Sequence, residues 1–386
     1  MSGYLDAVGR GLVIFDGATG TSLQRAGLTA GDFGGPDLEG CNEILNQTRP
    51  DVVADLHRSF LDVGVDVVET NSFGGFAVPL GEYGLADRAY ELAAAAAGIA
   101  RGVVDEYLAA DGRERWVAGS MGPGNKFPTL GQITYRELAE AYQVEAAGLI
   151  DGGADLLIIE TMFDLLAAKA AMNGARAAMR HAGRELPLQV QVTIELSGRM
   201  IAGTEIGAAL TTLDALRPDV VGLNCATGPK EMHEPLRHLT EHARMPVSAI
   251  PNAGLPKVVD GEMVYDLGGE EFSEHLSRFV TELGVGVIGG CCGTTPEHMA
   301  TIVERCRPLT PRPRRPVHVP AAASIYSQVP FHQDTSILSI GERTNANGSK
   351  AFREAMLAGD HDACVAIGRR QVSESAHLVD LCVDYV

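Results

Sequence analysis

The chain of 386 residues is longer than one hydrophobic core ordinarily serves, so it reads as one large domain with a further segment attached. Its 45% hydrophobic, 21% charged and 5% aromatic residues describe a globular protein rather than a disordered one. A formal charge of -19 excludes nucleic acid and anionic membrane as expected partners, because binding phosphate requires a basic face, and leaves a small molecule as the expected ligand.

The opening run MSGYLDAVGRGLVIFDG lacks the charged, then apolar, then small-residue pattern of a signal peptide. No unbroken apolar run approaches the roughly 20 residues of a membrane helix, so the expected address is cytoplasmic. Seven cysteines, two of them adjacent, suit reduced thiols or metal ligands better than disulfides.

Short runs rich in Val and Ile then recur along the chain, at Leu12 to Phe15, Asp66 to Glu69, Trp116 to Gly119, Asp155 to Ile159, Leu188 to Thr193, Val220 to Asn224, Val247 to Ile250 and Val285 to Gly289. Stretches with helical periodicity separate them. One opens after Pro50, and another runs from Tyr135 to Ala147 with Thr134 as its expected N-cap ahead of Glu137. Strands apolar on both sides, each followed by a helix, favour a parallel sheet. Eight such units predict an α/β fold, a closed (β/α)8 TIM barrel over residues 1–306. The competing doubly wound sheet would be expected to show a G-x-G-x-x-G after its first strand, which this sequence lacks.

From Arg307 the composition turns to prolines and arginines, and residues 307–335 read as a linker. Beyond it come a strand from Ser336 to Gly341, a helix from Ser349 to Ala366 and a strand-like run from Leu378 to Val386. Two strands in roughly fifty residues cannot bury a core of ordinary domain size. The expectation for 336–386 is therefore a truncated fragment of a second α/β barrel.

The active site of a (β/α)8 barrel lies where its strands end, so the residues just past each strand are the ones to inspect. In order they are Asp16, Glu69 with Asn71, Ser120, Glu160 with Thr161, Thr193 with Glu195, Cys225, Asn252, and Cys291 with Cys292. Cys225, Cys291 and Cys292 share this rim, and zinc takes thiolates in a tetrahedron, with the fourth position left open in a catalytic site. The bland alternative is small apolar filler, the reading given to Cys41, Cys306, Cys364 and Cys382. His298, close after Cys292, reads as a first-turn helix residue.

Three thiolates make zinc a weak Lewis acid but leave it able to hold and deprotonate a fourth thiol, which suggests alkylation of a substrate sulfur. Asp16, Glu69 and Glu160 would suit an ammonium group, or else serve as caps and internal salt links. The glycines of Asp16-Gly17-Ala18-Thr19-Gly20-Thr21 would offer backbone N–H groups to a carboxylate.

Together DGATGT, ETNSF, IIET, GLNCATGP, PNAGLP and GGCCGTTPEH resemble the homocysteine S-methyltransferase family over roughly residues 10 to 306. The resemblance implies that Cys225, Cys291 and Cys292 bind zinc, that zinc takes up the L-homocysteine thiolate, and that Asp16, Gly17 and Glu160 hold the amino acid. It gives Asn252 a supporting role, or that of a stand-in zinc ligand when substrate is absent. Thr19 departs from the family, many members of which carry Met there. The tail, SIGERTNANGSKAFREAM followed by HLVDLCVDYV, resembles the start of the folate-binding barrel of cobalamin-dependent methionine synthases. That likeness implies Glu342, Asn345 and Asp380 at a 5-methyltetrahydrofolate site left incomplete here, and methylcobalamin carried by a module absent from this chain. Ser375-Ala376-His377, where Gly-Ala-His or Gly-Ala-Gln is usual, weakens the folate site further. Two other expectations compete: a cobalamin-independent methyltransferase using S-methylmethionine or betaine, and a non-catalytic zinc protein.

Overall fold

The computed structural model describes residues 3–259 and 262–385. Eight parallel strands form one sheet: β1 Val13–Ile14, β2 Val67–Glu69, β3 Trp116–Met121, β4 Leu156–Met162, β5 Leu188–Val192, β6 Val220–Asn224, β7 Val247–Ile250 and β8 Val287–Ile288. Hydrogen bonding runs in the order β1, β8, β7, β6, β5, β4, β3, β2. The sheet then closes on itself, because Asp66 N–H donates to the Ile14 carbonyl at 2.7 Å and Asp16 N–H to the Val67 carbonyl at 3.0 Å. Closure is what separates the barrel from the open doubly wound alternative.

The amino-terminal helix α1, Gly3–Arg10, precedes the barrel, and eight further helices follow the strands in turn. They are α2 Pro50–Asp62, α3 Ala89–Asp111, α4 Tyr135–Asp151, α5 Leu165–Ala182, α6 Ile206–Leu216, α7 Pro229–His242, α8 Gly269–Arg278 and α9 Pro296–Cys306. Thr134 caps α4 as expected, in a reciprocal bond with Glu137.

Side chains alternate along a strand, and here the alternation builds two cores. Val13, Phe15, Val67, Ala118, Leu156, Ile158, Val220, Ile250 and Val287 fill the barrel, whereas Val68, Val117, Leu157, Ile159 and Val221 pack outward against the helices. This double burial is why the strands read as continuous Val and Ile runs. At the amino-terminal end Tyr4 of α1 plugs the barrel, its ring edge-on to Phe15 and Trp116 and its hydroxyl donating to Gln189 Oε1 at 2.6 Å.

The chain divides into two compact units between His318 and Val319, twelve residues beyond the compositional change at Arg307. The first residues of the expected linker are a strap on the barrel. Arg307 pairs with Asp66 at 2.8 Å, and Arg314 donates to the carbonyls of Thr240 and Ala243 at 3.1 and 3.2 Å and to that of Met245. Arginine-rich sequence resembles a linker by composition, yet its guanidinium forks satisfy the exposed carbonyls at the helix ends.

The second unit holds an antiparallel pair, Ala321–Ala323 with Gln328–Pro330, and a parallel pair, β9 Ile340–Asn345 with β10 Leu378–Cys382. The one helix expected from Ser349 to Ala366 is two, α10 Lys350–Leu357 and α11 His361–Ser373. Gly359, at φ 71°, breaks the run, and Asp360 caps the second helix by accepting from Ala363 N–H. The strand expected from Ser336 begins at Ile340, and the strand-like run from Leu378 ends at Cys382; its last residue, Val386, lies outside the described residues. Among the described residues no helix is long and apolar enough to cross a membrane.

Candidate active site

The inward series that fills the barrel turns polar at the carboxyl ends of the strands. Two residues past Val67 stands Glu69, past Ala118 Ser120, past Ile158 Glu160, and past Gly222 Asn224. Glu69, Ser120 and Glu160, with Gly17 to Thr21, Asn42, Glu43, Thr70 to Phe73, Thr161, Ile250, Gly290 and the three cysteines, line a cavity of about 230 Å3. That is below the roughly 300–1,000 Å3 of drug-sized sites and suits a small amino acid.

Cys225, Cys291 and Cys292 bring their sulfurs within 4.8 Å of one another, and the Cys225 and Cys292 sulfurs are 3.8 Å apart. Two sulfurs at 2.3 Å from one ion in a tetrahedron stand about 3.8 Å apart, so this donor set fits zinc. Reaching that spacing bends the backbone. Cys225 and Ala226 follow β6 in the left-handed region, at φ 59° and 56°, and Thr161 does so after Glu160 at φ 56°. Such conformations cost on the order of 1–3 kcal/mol each and collect at functional sites. Gly293, at φ 81°, has the Tyr265 ring against it: a Cβ there would lie 2.3 Å from Tyr265 Cγ. Three thiols so close cannot all ionise without a cation. Hydrogen bonding to Cys225 and Cys292 pushes Cys291 well up, while bonds from Cys225 and Cys291 bring Cys292 down.

The carboxylates are buried beside this cluster. Glu160 accepts from Ser120 Oγ at 2.7 Å and from Asn224 Nδ2 at 2.9 Å, yet burial raises its pKa to about 7. Asp16 accepts from Glu69 N–H at 3.0 Å, and its pKa is well above the usual carboxylate range, through burial first and the Glu160 charge besides. Glu69 is raised by burial and by both neighbours. One oxygen on each of Asp16 and Glu69 is buried without a partner, as is Asn252 Oδ1. A cation among these groups would satisfy the orphaned atoms and relieve the crowding. Gly17 lines the cavity with no room for a side chain, since a Cβ would sit 2.8 Å from both Phe60 and Thr294 Oγ1.

Several participants escaped sequence reading. Asn224 joins the two halves of the site: it donates to Glu160, accepts from Thr161 N–H at 2.7 Å, and places Nδ2 4.0 Å from Cys291 Sγ. Its position as the last inward residue before Cys225 was the available signal. Thr294 accepts from Ala18 N–H at 3.0 Å, and Tyr265 packs on Gly293; neither carries a local sequence signal. His298 stands in the first turn of α9, bonded to Thr295 and to the Leu267 carbonyl at 3.0 Å, in the helical role expected of it. In the second unit Asn345 donates to Asp380 at 2.8 Å, while Glu342 occupies an exposed strand position.

Residues 13–306 match the family described as homocysteine S-methyltransferase. The chain belongs to the homocysteine S-methyltransferase family. Within this family the barrel is similar in fold to the metallated homocysteine methyltransferase MmuM of Escherichia coli, with a TM-score of 0.63 and 21% identity over 76% of this chain and 96% of that one. The oxidised form of the same protein gives a TM-score of 0.62 at 22% identity. Among family relatives, the methionine synthase of Mycobacterium tuberculosis (strain ATCC 25618 / H37Rv) is 51% identical over 383 residues, 99% of this chain and 32% of that protein. The methionine synthase of Mycobacterium leprae (strain TN) is also 51% identical, over 387 residues with the same coverage. The chain thus spans about a third of the length of the curated relatives it matches.

Proposed function

We propose that this barrel is the homocysteine-activating part of a methionine synthase: it holds zinc through Cys225, Cys291 and Cys292, binds L-homocysteine, and offers the substrate sulfur to methylcobalamin carried by another module. The observation that carries the reading is the set of three sulfurs within 4.8 Å of one another, one pair of them 3.8 Å apart, facing a small cavity walled by buried carboxylates. Zinc bound there would supply the acidity that keeps a fourth thiol ionised at neutral pH. Asp16, Glu69 and Glu160 hold the substrate ammonium, and the Gly17 to Thr21 turn receives its carboxylate through backbone N–H groups and the Thr19 and Thr21 hydroxyls. Asn224 keeps Glu160 facing the substrate, and Asn252, buried with a free oxygen, supports the metal site or stands in for the substrate sulfur.

The resemblance of the tail to the start of a folate-binding barrel favours a cobalamin-borne methyl group over S-methylmethionine or betaine. The β9 to β10 unit, two parallel strands joined by two helices, is read as the beginning of the barrel that presents 5-methyltetrahydrofolate, with Asn345 and Asp380 side by side where the pterin would sit. A cytoplasmic address belongs to the same reading.

The deciding experiment supplies the zinc-loaded protein with L-homocysteine and free methylcobalamin and follows methionine, together with proton release on homocysteine binding. Product that needs zinc, and is lost in Cys225→Ala and Cys292→Ala along with the metal, is the expected result. Zinc binding without homocysteine binding or proton release would overturn the reading, and turnover with S-methylmethionine or betaine would overturn the choice of donor.

A further inference from the structure

A second cavity, of about 290 Å3, opens at the amino-terminal end of the barrel strands and shares no residue with the cavity beside the cysteines. Its walls are the end of α1, the first residues of β7, the approach to β8 and the strap from Thr310 to Arg314. Arg10, Arg312 and Arg314 line it, and no acidic side chain does. Main-chain groups hold two of these arginines in place. Arg312 N–H donates to the Val280 carbonyl at 3.0 Å and its Nη1 to the Glu282 carbonyl at 2.9 Å, while Arg314 donates to the carbonyls of Thr240, Ala243 and Met245. Pro311 and Pro313 fix φ on either side of Arg312, so the strap has little freedom left to lose when a ligand binds. Carbonyls orient a guanidinium but do not neutralise it. Among the described residues neither Arg312 nor Arg314 has a carboxylate partner, and burial pushes the Arg314 pKa down with no charged neighbour to offset it. Arg10 meets Glu114 at 3.9 Å with the two side chains 67% and 68% exposed, a contact of little strength.

We propose that this cavity is an anion site that binds the phosphate group of a small molecule through Arg10, Arg312 and Arg314. A guanidinium carries five N–H donors in a planar fork that matches phosphate oxygens. Arg312 spends one side-chain bond on a carbonyl and Arg314 three, which leaves N–H groups on each for an oxyanion. The chain's charge of -19 opposes an anion at a distance, yet at physiological salt that repulsion is screened beyond roughly 8 Å, and the charged groups at the cavity wall are arginines. The cavity exceeds the 230 Å3 beside the cysteines, so it has room for the rest of a phosphorylated metabolite beyond the phosphate itself. Chemistry in a (β/α)8 barrel belongs to the opposite end, so a ligand here ties the strap to α1, β7 and β8 and stabilises the barrel rather than taking part in methyl transfer. The inference is independent of the zinc reading.

The test measures binding of inorganic phosphate and of glycerol 3-phosphate to the full chain by calorimetry at constant ionic strength, with melting temperature recorded alongside. Arg312→Gln and Arg10→Gln each remove a guanidinium from the cavity, and Arg136→Gln removes one from the exposed face of α4 as a control for charge alone. The expected result is one site per chain and a higher melting temperature with ligand. Affinity should weaken about 10- to 100-fold in Arg312→Gln, the loss expected of a hydrogen bond to a charged group, and about threefold in the more exposed Arg10→Gln, with no change in Arg136→Gln. Should Arg312→Gln fail to fold, Arg10→Gln decides. Tighter binding of the ester assigns the phosphate to a metabolite and tighter binding of inorganic phosphate assigns it to the free ion; both support the site. Equal affinity in the two cavity variants and the unaltered chain overturns the proposal, as does the absence of binding by either probe. Equal weakening by all three variants, the mark of an adventitious ion only, overturns it too.

Discussion

At the scale of single residues the site is a problem of charge. Glu160, buried to 5% exposure, has its ordinary value of 4.5 raised to about 7 by burial, so between those values the folded chain holds a proton that the unfolded chain has released. Stability contributed by the proton-bound form is therefore lost as pH rises through that window, and Asp16 and Glu69 act in the same direction. Without substrate, the melting temperature should fall from pH 4.5 to 7. Glu160→Gln should flatten that slope, and homocysteine should reduce it by placing an ammonium among the carboxyls. An identical slope in the Gln variant would show that Glu160 is not the group responsible. Asn224 has a comparable influence at second hand, because it touches Glu160, Thr161 and Cys291 together. Asn224→Ala should weaken zinc or homocysteine binding about 10- to 100-fold, as removal of such supporting partners does elsewhere, measurable by competition with a chelator and by calorimetry.

At the scale of elements, position in a strand decides what a residue can do. Glu69, Ser120, Glu160 and Asn224 converge because each occupies an inward position at the carboxyl end of its strand. This was legible in the sequence: position just past the end of each Val and Ile run placed the acidic residues and cysteines on one rim. What was not legible was the approach of β6 to β7. At Gly222 a Cβ would fall 1.9 Å from Ser248 Oγ and 2.4 Å from the Ser248 carbonyl oxygen. Gly222→Ala should force the two strands apart, costing about 1–3 kcal/mol in chemical denaturation and loosening zinc, since Cys225 lies three residues beyond. Unchanged stability would mean that the strand pair yields without strain. The helices show the same limit. Apolar periodicity found them, but the break at Gly359 and Asp360 depends on a backbone turn and a cap that periodicity does not report.

At the scale of the whole chain, the two compact units differ in how well each closes its own surface. The barrel pairs every strand with two neighbours. The second unit leaves its two-stranded sheet with Ile340 56%, Val379 43% and Leu381 70% exposed, and Ile337 beside it at 89%. Apolar strands with open edges invite association. A chain ending at His318 should therefore keep its zinc stoichiometry and homocysteine affinity while showing less concentration-dependent association in sedimentation than the full 386 residues. Loss of zinc on shortening would mean that the second unit supports the site.

Period, order and residue type are local properties of a chain, and they sufficed to determined eight βα units, the rim on which Cys225, Cys291 and Cys292 lie, and the acidic company they keep. Distances between segments far apart in sequence depend on how the sheet closes and which loops fold back over it. Only the tertiary structure decided the 3.8 Å between Cys225 and Cys292, the strap formed by Arg307 and Arg314, and the placing of Tyr265 over Gly293. Each of these results from packing many residues at once, where one strand's position is set by all the others, and no short window of sequence contains that information.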